Sequence, residues 1–234
     1  MTAPSAVNLP NGISAGRIIL APLIAMLPLV ASPVWRGIAF VLYVIVAVSD
    51  YWDGWLARTR GLVTDLGIVL DPLADKLLLV ATFLPMLVLQ GAPDDPVAAF
   101  LARNLHLQAG SAFAFPFVTW FGSFTLPWWV VALVLGREAF MTLFRGVAQR
   151  KGVVIAAIGP AKWKAGMQYV WVGAAYFSFA VLTLARRGQG GHSVADLLAM
   201  TVGAIGVITM WVAVALTLYS LVLYLRRYGA IVRR

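Results

Sequence analysis

Cysteine is absent from the 234 residues, histidine occurs twice, and only 12% of positions carry charge. The first absence removes disulfides, thiolate nucleophiles and thiolate metal sites together. The scarcity of charge removes more, because a soluble domain carries about 25% charged residues. Here 62% of the chain is hydrophobic and the mean hydropathy is +0.88. A soluble enzyme, a secreted disulfide scaffold and a disordered chain are all excluded. At about 20 apolar residues per crossing, the length holds five to seven membrane helices and little else. Acids are the scarcest charge, 9 against 18 Lys and Arg, for a net charge of +9. In so apolar a chain that excess sets topology and meets anionic headgroups of the bilayer; nucleic acid is not an expected partner.

The apolar runs predict an all-α, polytopic membrane protein of six transmembrane helices, read as one domain over 1–234. No separate targeting peptide is evident, since the first run lacks a short core followed by a small-residue cleavage site. That run reads as a retained helix over 12–31, closed by Pro33. The second runs from 34 to the Asp50–Arg60 region and the third from 65 to 89, ending at the turn-rich segment from Gly91. Residues 93–126 read as an interfacial excursion with a short amphipathic helix near 96–108. Further spans are expected over 126–149, 160–184 and 194–225. With both termini on one side, that side collects Arg58, Arg60, Arg145, Arg150, Lys151, Lys162, Lys164, Arg226, Arg227, Arg233 and Arg234. The other holds Arg36, Arg103, Arg186 and Arg187. Eleven against four puts the termini in the cytoplasm.

Five of the nine acids fall between Asp50 and Asp75. Asp50 and Asp53 are three apart and share a helix face; Asp71 and Asp75, four apart, share one on the next helix. A short connection makes these helices antiparallel neighbours, which gathers four carboxylates at the cytoplasmic boundary. Such a cluster at low dielectric requires positive charge among it: protons, Lys or Arg partners such as Arg58, Arg60 and Lys76, or divalent cations. Oxygen ligands without His or Cys favour a hard ion, Mg²⁺ or Mn²⁺. Ionisable residues inside a membrane usually serve function, and the small residues Gly54, Ala57 and Gly67 leave room for a ligand or a neighbouring backbone.

Asp50, Asp53, Gly54, Ala57, Arg58, Gly67, Asp71 and Asp75 reproduce the pattern D-x2-D-G-x2-A-R-x8-G-x3-D-x3-D at all eight fixed positions. The pattern resembles the signature of the CDP-alcohol phosphotransferases. The resemblance implies a six-helix enzyme of the bacterial cytoplasmic membrane, commonly a homodimer, with its site facing the cytoplasm. Such an enzyme transfers a phosphatidyl group from CDP-diacylglycerol to an alcohol and releases CMP. It further implies that Asp50, Asp53, Asp71 and Asp75 hold two divalent cations, Mg²⁺ or Mn²⁺, and that Asp75 is general base. Gly54, Ala57 and Gly67 would make room for the cytidine nucleotide, and Arg58 would neutralise diphosphate.

Within that family, Asn8-Leu9-Pro10-Asn11 with Arg17, the run Leu70–Lys76, Arg137-Glu138, Arg145 and Lys162-Trp163-Lys164 resemble the bacterial phosphatidylglycerophosphate synthases. Their acceptor is glycerol 3-phosphate, whose phosphate would engage Arg137, Arg145, Lys162 and Lys164. Arg137, deep in the fourth span, needs an anion in any case: either Glu138 or that phosphate. Ala161 and Ala165 depart from the expected pattern, which has Gly before the first Lys and Thr after the second. The alternatives are a cardiolipin synthase of the same family, with phosphatidylglycerol as acceptor, and a cation transporter. Transport sites generally lie at the midplane between repeats, whereas these acids sit at one boundary and no repeat is visible.

Overall fold

The structure is a computed structural model describing residues 9–59, 64–90, 100, 103–104, 117–153, 155, 159–185 and 194–233. Among the described residues there are six long helices: α1 Leu9–Met26, α2 Pro33–Thr59, α3 Asp65–Leu89, α4 Trp128–Arg150, α5 Gly159–Ala185 and α6 Val194–Arg233. Between α3 and α4 lies a hairpin of β1, Phe117–Thr119, and β2, Gly122–Phe124. α1 packs on α2 and α3, α2 on α5, and α5 along α6.

The protein is an all-α, polytopic membrane protein. Among the described residues five helices are long and apolar enough to cross a bilayer: Leu9–Leu29, Pro33–Asp50, Val69–Leu89, Trp163–Ala185 and Val194–Gly229. Six were expected. The helix α4 differs because every stretch of 18 residues within it takes in Arg137, Glu138 and Arg145. The outward faces are apolar as well as the core. Ile19, Val41 and Ile208 are 71%, 53% and 57% exposed, a surface suited to lipid and not to water. The core runs through the helices as Ile24, Tyr43, Phe83, Trp171, Tyr176 and Met210. Its two tyrosine hydroxyls find partners: Tyr176 donates to the Ile24 carbonyl at 3.0 Å and Tyr43 to that of Tyr169 at 2.9 Å.

The helix boundaries follow from local chemistry. Pro33 does not merely close the first helix; it occupies the first position of α2, where its missing N–H is no loss. The chain before it tightens into a 3-10 turn over Leu27–Leu29. Thr64 caps α3, its hydroxyl accepting from Gly67 N at 3.1 Å. α4 stops in a double C-terminal hydrogen bond, Gly152 N to Gln149 O and Val153 N to Ala148 O. Gly152 takes the left-handed φ of 75° that this ending requires. α6, at 40 residues, is about 60 Å long, roughly twice the hydrocarbon core, so its arginine-bearing end reaches beyond the apolar layer.

Two buried arginines mark opposite ends of the bundle. Arg36 donates from Nε to the Pro28 carbonyl at 2.9 Å and from Nη1 to Thr183, tying the start of α2 to the end of α5. Arg17, at the other end, belongs to the site described below.

The excursion expected over 93–126 is partly described. The amphipathic helix expected near 96–108 falls mostly outside the described residues, as do both histidines. The hairpin was not anticipated, and it is seated deeply on α6. A Cβ on Gly203 would meet the Val118 carbonyl oxygen at 2.2 Å, and one on Gly206 would meet the Phe117 ring at 2.1 Å. These glycines are three apart, on one face of α6. Gly206→Ala is therefore expected to unseat Phe117, at a cost of about 1–3 kcal/mol for overpacking. Gly229→Ala, where an added Cβ meets nothing within 4 Å, is the control. Equal thermal midpoints in detergent for the two variants would refute this seating.

Candidate active site

The buried stripe of α1 consists of Pro10, Asn11, Ser14, Arg17, Ala21 and Ile24. Spacings of three and four place it on one face, polar toward the chain start and apolar further on. The polar half meets the end of α2 and the start of α3. Arg17 is 2% exposed, and its guanidinium joins three carboxylates. Nη1 pairs with Oδ1 of Asp50 and, at 2.9 Å, with Oδ1 of Asp75; Nη2 lies 3.9 Å from Oδ1 of Asp71. Ser14 donates to Asp71, and Tyr169 of α5 donates to Oδ2 of Asp50 at 2.6 Å. The carboxylates open outward from this buried cation: the side chains of Asp50, Asp71 and Asp75 are 25%, 52% and 50% exposed.

Three carboxylates around one guanidinium leave a net charge of −2. With oxygen as the donor throughout, that charge and its partial exposure fit a hard divalent cation. In this arrangement Arg17 holds the centre, and among the described residues no three acids close on a common metal position.

Gly67 stands against α1. A Cβ there would lie 2.8 Å from Oδ1 of Asn11 and 3.3 Å from the Thr64 hydroxyl. Asn11 in turn donates to that hydroxyl at 2.8 Å. The glycine lets α1 close on the capped start of α3, which brings Ser14 and Arg17 level with the aspartates.

A second polar cluster adjoins the first. Glu138 of α4 accepts from Arg137 at 2.9 Å and from Lys164 of α5. Arg137 also donates to Ser220 of α6 at 3.1 Å. Its need for an anion is thus met by Glu138. The guanidinium of Arg137 lies 6.0 Å from the centre of the Tyr224 ring and that of Arg145 lies 5.9 Å from it. Between the two clusters is a cavity of about 120 Å³. Asp75, Leu79 and Thr82 of α3, Glu138 of α4, and Lys164, Gln168 and Tyr169 of α5 contribute to its wall.

Of the residues predicted from sequence, Asp50, Asp71 and Asp75 come together, and Arg137 and Lys164 meet through Glu138. Arg145 stands exposed near Tyr224. Asp53, Gly54, Ala57 and Arg58 lie on the last turns of α2 and Lys162 on the first turn of α5, but their side chains fall outside the described residues. The sequence reading assigned no role to Arg17, Ser14, Tyr169 or Gln168. Arg17 had a usable signal, a lone charge in an apolar run, the same signal that singled out Arg137. Ser14, Tyr169 and Gln168 had none, since hydroxyls and amides are common in membrane helices.

The profile of the CDP-alcohol phosphatidyltransferase family matches residues 7–219. The chain belongs to this family. A CDP-diacylglycerol–glycerol-3-phosphate 3-phosphatidyltransferase of Rickettsia bellii is 36% identical over 97 residues, 42% of this chain and 54% of that protein. A probable phosphatidylglycerophosphate synthase of Mycobacterium tuberculosis is 27% identical over 168 residues, 66% of this chain and 64% of that one. A cardiolipin synthase (CMP-forming) of Oryza sativa is 26% identical over 229 residues, 96% of this chain and 58% of the plant protein. The chain thus spans between about half and two thirds of the length of these relatives.

Proposed function

We propose that the chain transfers the phosphatidyl group of CDP-diacylglycerol to glycerol 3-phosphate, giving phosphatidylglycerophosphate and CMP. The observation that carries this reading is the grouping of Asp50, Asp71 and Asp75 at one end of the bundle, open on one side and adjoining a cavity whose wall includes Glu138, Lys164 and Gln168. Family membership and the names of the Rickettsia and Mycobacterium relatives support it.

The acceptor's primary hydroxyl oxygen attacks the phosphorus that bears the diacylglycerol. A new P–O bond forms, the P–O bond to CMP breaks, and the hydroxyl proton passes to Asp75. Asp50, Asp53, Asp71 and Asp75 would hold two divalent cations, Mg²⁺ or Mn²⁺, which stabilise charge on the diphosphate. Arg58 neutralises further diphosphate charge. Arg137, Arg145, Lys162 and Lys164 serve the acceptor's phosphate, Lys164 and Arg137 being held ready by Glu138. The eleven-to-four asymmetry of Lys and Arg supports a site facing the cytoplasm, with glycerol 3-phosphate entering from there; six spans and a bacterial cytoplasmic membrane belong to the same reading. A homodimer is part of the same reading.

The test is an acceptor panel. Purified protein with CDP-diacylglycerol and Mg²⁺ is expected to release CMP with glycerol 3-phosphate and not with phosphatidylglycerol. The reverse preference would establish the cardiolipin synthase alternative, which the long rice match keeps in view. Metal-independent behaviour with no CMP released on any acceptor would favour a transporter.

A further inference from the structure

We propose that Gln168 determines acceptor specificity by donating a hydrogen bond to the hydroxyl of the acceptor that does not react. The inference rests on the glycerol 3-phosphate reading above and deepens it.

Gln168 is 6% exposed, and its Nε2 is buried without a hydrogen-bond partner among the described residues. A buried amide donor left unpaired is costly, and native structures rarely keep one without use. Gln168 is also one of the residues that line the cavity shared with Asp75 and Lys164, so a small side-chain rotation suffices to present the donor there. The other polar groups of that wall are engaged. Tyr169 donates to Asp50, Glu138 accepts from Arg137 and Lys164, Thr82 donates to the Leu79 carbonyl, and Tyr43 donates to that of Tyr169. Ala165 borders the same cavity and supplies no donor. Gln168 is thus the neutral wall side chain with an unspent donor, beside the Lys164 ammonium, which keeps N–H groups beyond the one given to Glu138.

Its position suits a three-carbon polyol phosphate. Lys164 and Gln168 are four apart and share a face of α5, while Asp75 approaches from α3. A single water needs only about 10–15 Å³, so about 120 Å³ admits a small polyol. With the reacting hydroxyl at Asp75 and the phosphate toward Lys164, the central hydroxyl of glycerol 3-phosphate lies between them, against the α5 wall. The carboxamide donates to that oxygen, and its pairing removes the unmet donor only when an acceptor with a central hydroxyl is bound.

The experiment compares glycerol 3-phosphate with 3-hydroxypropyl phosphate, which lacks the central hydroxyl, as acceptors for wild type, Gln168→Met and Gln168→Leu. Wild type is expected to prefer glycerol 3-phosphate by about tenfold in kcat/KM, the value of one neutral hydrogen bond. In both variants the ratio is expected to fall to near parity, with 3-hydroxypropyl phosphate used about as well as by wild type. Thermal stabilisation by CDP-diacylglycerol reports that the variants are folded and keep the donor site. An unchanged ratio in both variants, or equal losses on the two acceptors, overturns the role of Gln168 alone. A wild-type protein that takes phosphatidylglycerol and not glycerol 3-phosphate overturns the functional reading, and this inference with it.

Discussion

Asp75→Asn is expected to abolish CMP release, lowering kcat by about 10³-fold or more, while the protein folds and binds detergent as before. The size follows from two losses at one atom. General-base catalysis contributes typically about 10²–10⁴-fold, and the amide also loses the charge that holds a divalent cation against diphosphate. Stability should change little, because the Asp75 side chain is 50% exposed and Arg17 keeps its pairing with Asp50. Asp65→Asn, at the first residue of α3 and outside the signature, should be far milder, since the favourable interaction of a carboxylate with a helix start is typically worth about 0.3–1 kcal/mol. CMP release at equal amounts of folded protein distinguishes the two. Comparable losses in both variants would contradict the assigned site.

How much of this site the sequence reveals depends on which residues are rare in membranes. Aspartates in an apolar chain are conspicuous, and their spacings of three and four read directly as helix faces. The gathering of Asp50, Asp71 and Asp75 follows from them, but the expected packing of α2 against α3 does not hold among the described residues: both helices pack on α1, whose Arg17 stands among their carboxylates. What those acids face does not follow, because contacts between α1 and α3 are long-range. Arg17 stands 33 residues from Asp50 and 58 from Asp75, and no local pattern joins them. Gly67 has two readings in sequence, room for a ligand or room for a neighbour. The Asn11 side chain at that spot supplies the neighbour, one of the two uses the sequence allows. The hairpin escapes for another reason: strands of three residues are too short to show alternation, and the glycines that seat it lie about 80 residues away on α6. The long helices are legible throughout because their apolar runs are. α4 is legible too, as the stretch expected over 126–149, but Arg137, Glu138 and Arg145 interrupt its apolar run for the sake of contacts with Lys164, Ser220 and Tyr224.

The position of Arg17 makes a second large effect testable. Arg17→Gln removes the buried cation that three carboxylates share, while Gln retains much of the packing volume. Breaking a buried pair by deleting one partner costs about 3–5 kcal/mol. The carboxylates here are partly exposed, which puts the expected loss toward the lower end of that range. In a metal-chelating buffer Arg17→Gln should therefore melt several degrees below wild type. Divalent cation then acts in opposite proportion in the two proteins. In wild type an added cation meets a site of net charge −2 whose centre holds a guanidinium; in the variant it meets a charge of −3 and no competitor. Mg²⁺ or Mn²⁺ should consequently restore much of the lost stability and raise the melting temperature of Arg17→Gln more than that of wild type. Asp75→Asn in the Arg17→Gln background should shrink the rescue, because it removes one of the carboxylates the cation replaces Arg17 beside. Equal metal-induced shifts in wild type and Arg17→Gln would mean that Arg17 and the cation do not share these aspartates, and the metal would then have to be sought elsewhere.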